Sequence, residues 1–125
     1  MPDVLICDPD RNHAESWSQP IAASGYTVAF VENGSLALER VSEKPCGMAF
    51  VCVGANGDIG TDTISMLHEV DSEMPVVAVA ERDSLDLQRE VRSRKVFYYL
   101  VEPVDSEELA TVVSRALASR PADEI

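Results

Sequence analysis

Basic residues are scarce in this sequence, which has ten Lys and Arg against 22 Asp and Glu among 125 residues and a formal net charge of −12. Binding to nucleic acid or to an anionic membrane depends on clustered Lys and Arg that neutralise phosphates. We therefore expect neither kind of partner, whereas a basic patch on another protein would suit this surface.

Long apolar runs are also absent. No stretch approaches the roughly 18 apolar residues that are typical of a membrane-spanning helix. The segment before the apolar run Val4–Cys7 contains an acidic residue and no basic one, so we expect no signal peptide. These features together predict a cytoplasmic protein.

Motifs for metal, nucleotide and covalent chemistry are missing as well. The three cysteines, Cys7, Cys46 and Cys52, form no Cys-x-x-Cys pair, and His13 and His68 stand far apart, so we expect reduced structural thiols and no zinc site. There is no glycine-rich phosphate-binding motif and no Ser-His-Asp or Cys-His set. We expect a protein that is not an enzyme.

What the sequence does have is a regular alternation of short apolar runs and amphipathic segments. The apolar runs predict strands at Val4–Cys7, Tyr26–Val31, Met48–Val53, Pro75–Ala80 and Phe97–Val101. The segments that follow them predict helices at Arg11–Ser24, Ser35–Glu43, Asp62–Val70, Leu85–Arg94 and from the cap Asp105 to Ser119. The pattern predicts a single flavodoxin-like (βα)5 domain over residues 1–119, a three-layer α/β/α fold with a parallel five-stranded sheet of order 2-1-3-4-5. A flexible C-terminal tail is predicted over residues 120–125.

Local signals add expectations about individual positions. Helical spacing predicts that Leu36 and Val70 pack inward. Pro20 should kink or restrict the first helix, because it lacks a backbone N–H. Asp105 and Glu108, three residues apart, predict a capping box at the start of the last helix.

The order and spacing of several segments resemble the receiver domain of bacterial two-component response regulators. Tyr99–Pro103 is similar to the Tyr-Leu-x-Lys-Pro at the family's last strand, and the resemblance extends from Val4 to about Leu117. It also rests on Leu5-Ile6-Cys7-Asp8 with Asp10, Gly25-Tyr26-Thr27-Val28, Glu32-Asn33-Gly34 with Ala37-Leu38, and Pro75-Val76-Val77. The resemblance implies phosphorelay signal transduction, in which a histidine kinase phosphorylates an Asp that ends the third strand.

Three positions that contact the phosphoryl group in the family carry different residues here. The acceptor position falls within Cys52-Val53-Gly54-Ala55, a window that contains no carboxylate. Ala80 matches a Thr or Ser, and Glu102 matches the lysine. At about 4 Å and an effective dielectric of about 20, a carboxylate would repel each unit of phosphoryl charge by about 4 kcal/mol, whereas a lysine would attract it. The resemblance therefore implies a degenerate phosphorylation site without an acceptor.

The remaining acidic residues leave a metal site as an alternative. Asp8 matches the first of the two adjacent acidic residues that hold Mg²⁺ in the family, Pro9 stands in place of the second, and Asp10 comes one position late. Asp10 is also suited to cap the first helix. We predict an acidic pocket of Asp8, Asp10 and Glu102 and no firm metal or cofactor site, with Mg²⁺ at Asp8 and Asp10 as the alternative.

The functional prediction is a receiver-like signalling module that acts through protein–protein contacts and independently of aspartyl phosphorylation. Its partners would be a histidine kinase or an output domain. One alternative is a phosphorelay receiver with a surrogate acceptor such as Asp58, Asp8 or Asp10. Another is a domain that senses a divalent cation or other ligand, with Asp8, Asp10 and Glu102 as oxygen ligands.

Two further predictions concern switching and docking. Ala80 and Tyr99 match the family's switch positions, and the small Ala80 would allow Tyr99 to lie inward over it. A basic interaction face, or alternatively a solvated one, is predicted at Arg89, Arg92, Arg94 and Lys95. Such a face could meet acidic residues of a second copy, such as Glu107 and Glu108, in a homodimer through the fourth helix, fifth strand and fifth helix.

Overall fold

The computed structural model describes residues 3–54 and 60–119, in which strands and helices alternate. The strands are β1 (Asp3–Cys7), β2 (Thr27–Val31), β3 (Met48–Val53), β4 (Val76–Ala80) and β5 (Tyr98–Val101). The helices are α1 (Arg11–Ala23), α2 (Gly34–Glu43), α3 (Thr61–Val70), α4 (Leu85–Ser93) and α5 (Ser106–Ser119). All strand pairs are parallel and the sheet order is β2-β1-β3-β4-β5, which confirms the predicted flavodoxin-like fold. The predicted tail, residues 120–125, lies outside the described residues.

The core forms two layers, one on each side of the sheet. Every residue of β1, β3 and β4 is buried, as expected for continuous apolar runs in the middle of a parallel sheet. Helices α1 and α5 cover one face, where the rings of Trp17 and Phe50 meet edge to face with centroids 5.3 Å apart. The other face lies under α2, α3 and α4, whose buried residues include Val41, Leu67 and Val91. The three-layer arrangement therefore follows from the apolar patterns.

Two residues that were predicted to pack inward are exposed. Leu36 is 41% exposed because Ala37 and Val41 face the sheet, and a neighbouring helical position is turned by about 100° from them. Val70 is 46% exposed because it is the last residue of α3, after which the chain becomes extended at Asp71. Both predictions were wrong because the spacing of apolar residues does not define the exact register of a helix or the residue at which it ends.

Helix ends also differ in detail from the predictions. Pro20 does not end α1, which continues to Ala23 and closes with hydrogen bonds from Ser24 to the Pro20 carbonyl. Asp105 caps α5 by accepting from the Glu108 N–H at 2.9 Å. The Glu108 carboxylate accepts instead from the Tyr98 hydroxyl at 3.0 Å, so only half of the capping box is formed.

The sheet brings the carboxyl ends of its strands to one edge. Asp8, Gly54, Glu81 and Glu102 each directly follow a strand. The Glu102 N–H donates to the Ala80 carbonyl at 2.8 Å, and the Glu102–Pro103 peptide bond is cis. Within residues 3–54 and 60–119, no helix has the length and apolarity to cross a membrane. Because ligands gather at the carboxyl ends of parallel strands, we expect the functional site at this edge of the sheet.

Candidate functional site

A cavity of about 250 Å³ opens at the carboxyl edge of the sheet, where ligands gather in folds of this kind. Its lining combines acidic, imidazole, thiol and backbone groups. The lining residues are Asp8, Pro9, Asp10, His13, Cys52, Val53, Gly54 and Glu81.

Asp8 is the buried anchor of the site, with only 5% of its surface exposed. One carboxylate oxygen, Oδ1, accepts from the Asp10 N–H at 2.9 Å. The other, Oδ2, lies 2.6 Å from His13 Nδ1. Both oxygens of this buried carboxylate therefore have partners, and its position is well defined.

His13 connects two carboxylates that are far apart in the sequence. Its Nδ1 contacts Asp8, and its Nε2 lies 2.7 Å from Glu102 Oε1 and 3.0 Å from Oε2. Ionised carboxylates only accept hydrogen bonds, so both contacts together require that both ring nitrogens carry a proton. Burial alone would lower the pKa of His13, but Asp8 and Glu102 outweigh it and raise the pKa above its usual value. In its protonated form the imidazole supplies the positive charge between the two acids.

Helix α1 places His13 in this position. Asp10 is its N-cap and accepts from the N–H groups of Asn12 and His13 at 3.0 and 3.3 Å. His13 therefore stands in the first turn, beside the strand ends. The Asp10 carboxylate caps the helix. Of the predicted acidic pocket of Asp8, Asp10 and Glu102, His13 therefore bridges Asp8 and Glu102, and Asp10 lies beside this bridge.

The end of β3 presents a thiol and small groups. Cys52 is 7% exposed, and burial, assisted by the nearby Asp8 carboxylate, raises its pKa well above the usual value, so the thiol stays protonated. Val53 is buried, and a Cβ built on Gly54 would meet no atom of the described residues within 4 Å. The described part of the predicted acceptor window therefore carries no carboxylate, while Ala55 and the alternative acceptor Asp58 lie outside the described residues.

Among residues 3–54 and 60–119, two groups of side chains at this edge could hold a metal ion. In the first, Asp8, His13 and Cys52 have ligand atoms that lie within 4.8 Å of one another. In the second, the same is true of His13, Glu81 and Glu102. The expectation that both histidines are isolated is therefore wrong for His13.

The structure places both predicted switch residues at one apolar cluster. Ala80 is fully buried, and the half-buried Tyr99 ring packs against the same apolar cluster. The Tyr99 hydroxyl lies 3.1 Å from Asp83 Oδ1, to which it donates, because a phenol needs a polar partner that Ala80 cannot offer. Burial, followed by this hydrogen bond, raises the pKa of Tyr99 to about 12. Tyr99 therefore packs its ring against the cluster and directs its hydroxyl towards Asp83.

The structure gives the four residues of the predicted basic face different surroundings. Arg89 and Arg92 are exposed on α4. Arg94 turns towards α3 and donates to Ser65 Oγ at 2.8 Å and to Glu90 Oε1 at 2.6 Å. Lys95 stands in a turn with φ 60° and lines a separate cavity with His68, Glu69 and Ser72.

A larger groove of about 500 Å³ runs between β5 and α5. Phe97 and Tyr98 are 38% and 40% exposed, although the sequence placed them in an apolar strand. The groove is lined by Phe97, Tyr98, Asp105, Glu107, Glu108, Thr111, Val112 and Arg115. It combines an apolar floor with a mostly acidic rim, and an edge strand explains the exposure.

Sequence reasoning missed His13 and Glu81 as members of the site. Each carried a signal that could have been used. His13 lies five residues after Asp8 and three after a helix cap, and Glu81 directly follows a strand whose carboxyl end reaches the site.

The family model of the response regulator receiver domain matches residues 4–114. "Transcriptional regulatory protein ZraR" of Klebsiella oxytoca is 28% identical over 93% of this chain and 26% of its own length. "DNA-binding transcriptional regulator NtrC" of Azospirillum brasilense is 26% identical over 93% of this chain and 24% of its own length. The chain thus spans about a quarter of the length of these curated relatives.

Solved structures agree on the fold. A CheY-like receiver domain protein from Methanospirillum hungatei JF-1 superposes with a TM-score of 0.84 at 19% identity, over 96% of each chain. NtrX from Brucella abortus also gives a TM-score of 0.84, at 16% identity, over 95% of this chain and 27% of NtrX.

Proposed function

The chain belongs to the response regulator receiver domain family, and we propose that it is a non-enzymatic signalling module that works through protein contacts without phosphorylation of an aspartate. The observation that carries this proposal is the contact of Glu102 with His13 Nε2 at 2.7 Å. Glu102 matches the family's phosphoryl-binding lysine, and in this chain it is an acidic residue that is already paired with His13.

Charge at the strand ends supports the same conclusion. Phosphoryl transfer depends on cations that neutralise the charge spread over the phosphoryl oxygens. The carboxylates of Asp8, Asp10 and Glu81 line the pocket, Glu102 contacts His13 beside it, and among the described lining residues His13 is the one basic side chain. A phosphoryl group would add negative charge to a site that already holds more acids than bases.

Surface chemistry supports a protein partner. Receiver domains interact with histidine kinases and with output domains. The groove between β5 and α5 offers exposed Phe97 and Tyr98 beside carboxylates, and Arg89 and Arg92 are exposed on α4. We propose a cytoplasmic partner, or a second copy of the chain, that brings apolar and basic side chains to this groove.

Amide NMR with Mg²⁺ and then beryllofluoride tests this function, with intact mass measured after acetyl phosphate treatment. We expect no beryllofluoride-dependent shifts and no added phosphoryl mass. The matched control is Gly54→Asp with Glu102→Lys, because Gly54 follows β3 and has room for a side chain. Beryllofluoride shifts in this variant alone support the proposal. A phosphoryl adduct on the unaltered chain would show that a surrogate aspartate is the acceptor and would overturn it.

A further inference from the structure

Three side chains of metal-ligating types converge at the carboxyl edge of the sheet. His13 comes from α1, Glu81 follows β4 and Glu102 follows β5. One ligand atom of each lies within 4.8 Å of the other two. His13 and Glu102 are partly exposed, at 28% and 18% of their side chains, and Glu81 is exposed, so an ion can enter from solvent.

Asp8 fixes the orientation of the imidazole. Its Oδ2 lies 2.6 Å from His13 Nδ1, and its Oδ1 is held by the Asp10 N–H. A histidine that binds a metal usually donates its other ring N–H to a carboxylate, which fixes the tautomer and the ring orientation. In this chain that arrangement leaves Nε2 directed at Glu102, on the side where Glu81 also lies.

The geometry points to a site for one divalent transition-metal ion of the Zn²⁺ class, with His13 Nε2, Glu81 and Glu102 as protein ligands and Asp8 as the residue that positions His13. The metal would replace the proton that Nε2 shares with Glu102, and water would take the fourth position. Ligands in tetrahedral zinc sites lie about 2.1 Å from the ion and so about 3.4 Å apart. The Nε2–Oε1 distance of 2.7 Å needs to widen by less than 1 Å, which the partly exposed Glu102 side chain permits.

The mixture of ligands selects the class of ion. Imidazole with carboxylates suits Zn²⁺ and similar ions, whereas Mg²⁺ and Ca²⁺ favour sites made only of oxygens. The site therefore differs from the Mg²⁺ site that the family resemblance implies at Asp8 and Asp10. Asp10 is occupied as the cap of α1, and Asp8 acts through His13.

The deeper group of Asp8, His13 and Cys52 is a poorer set of ligands. Cys52 is 7% exposed, and a metal needs the thiolate, which burial beside Asp8 disfavours. Both Asp8 oxygens already accept hydrogen bonds. The outer group contains no thiol, and its one internal contact, between His13 Nε2 and Glu102, lies at the surface beside the exposed Glu81.

Calorimetric titration of the metal-stripped full chain with Zn²⁺ tests the site, with Co²⁺ absorption as an independent readout of coordination. We expect one equivalent of Zn²⁺ to bind, and excess Mg²⁺ not to displace it. Glu81→Gln should weaken binding about tenfold and His13→Gln about 100-fold, since each removes a ligand. Glu107→Gln and His68→Gln are the matched controls, and they should leave the affinity unchanged.

Asp8→Asn tests the positioning residue separately. Loss of a carboxylate behind a metal-binding histidine typically weakens binding by about 10–100-fold. We expect this loss together with an unchanged number of bound ions and a shifted Co²⁺ spectrum. Full affinity in both Glu81→Gln and His13→Gln, equal competition by Mg²⁺, or no Zn²⁺ binding at millimolar concentration would each overturn the site. The beryllofluoride experiment is independent of these outcomes, because neither result requires the other.

Discussion

The two ends of strand β1 each hold a buried aspartate, and they differ in the cation that accompanies it. Asp3 and Asp8 are both 5% exposed. At the amino end, Arg40 Nη2 donates to Asp3 Oδ2 at 2.7 Å, and Lys44 Nζ lies 3.3 Å away. At the carboxyl end, the group beside Asp8 is the imidazole of His13 at 2.6 Å, which is a cation when protonated.

The contact of Arg40 with Asp3 is permanent, whereas in the contact of His13 with Asp8 the proton on the imidazole can be lost or replaced. A guanidinium keeps its charge at every pH that a folded protein experiences. Its hydrogen bond, opposed by burial and reinforced by Lys44, holds the pKa of Asp3 below the usual value. An imidazolium can lose its proton, and its nitrogen can then bind a metal. The fold thus uses a permanent ion pair where α2 joins β1 and a replaceable one at the functional edge.

Arg40→Met should produce the largest change in stability. It removes the main partner of a buried carboxylate and leaves only the more distant Lys44, so we expect the free energy of unfolding to fall by about 3 kcal/mol. Urea denaturation measures this change. Arg89→Met, at an exposed position of α4, is the control and should stay within about 0.5 kcal/mol of the unaltered chain. A similar small effect for Arg40→Met would remove the distinction between the two ends.

His13→Gln should have a smaller effect, about 1.5 kcal/mol at pH 6 in metal-free protein. Asp8 keeps its hydrogen bond from the Asp10 N–H, and the adjoining cavity admits water. Urea denaturation beside His68→Gln isolates the contribution of the bridge from that of a histidine in general. A loss as large as that of Arg40→Met would mean that the carboxyl edge is as structural as the amino edge.

The two ends should lose their contributions in opposite directions of pH. The folded-state pKa of Asp3 is lowered, so its contribution is present above the unfolded pKa of about 3.9 and is lost as pH falls through the folded pKa. The pKa of His13 is raised, so its contribution is complete below about 6.5 and is lost as pH rises through the folded pKa.

Stability measured against pH, with a chelator present, checks both signs. Above about pH 5, the difference between the unaltered chain and Arg40→Met should stay constant, whereas the difference from His13→Gln should shrink as pH rises; in acid, the difference from Arg40→Met should shrink. Parallel curves for the two variants would contradict the comparison.

Lys44→Met should give the smallest effect, at most about 0.5 kcal/mol. The Lys44 side chain is 69% exposed, so solvent screens its attraction to Asp3, whereas that of Arg40 is 22% exposed. Thermal unfolding of Lys44→Met and Arg40→Met side by side shows which cation accounts for the amino-end pair. A larger loss for Lys44→Met would assign that role to the exposed lysine.

Expectations from the sequence succeeded where a single segment carries the information. The strands and helices were placed within a few residues, because apolar periodicity depends on nearest neighbours along the chain. Errors appeared at Leu36 and Val70, where exposure depends on the register and end of a helix, and at Glu108, whose carboxylate is taken by Tyr98 from a neighbouring strand.

The site was predictable only in part. Asp8 and Glu102 were recognisable as acids at strand ends, and the alignment with a family lysine made Glu102 conspicuous. His13 was not, because its second partner lies 89 residues away in the sequence. The direction of the half-buried His13 side chain depends on Glu102, which follows the distant strand β5.

The alternation of apolar and polar residues is enough to specify a parallel sheet between helices and the acids at its carboxyl edge, since burying apolar runs is a local requirement. It is the packing of α1 beside the ends of β1 and β5 that brings His13 between Asp8 and Glu102. Electrostatic attraction between these groups acts only after the fold has brought them within a few ångströms of one another.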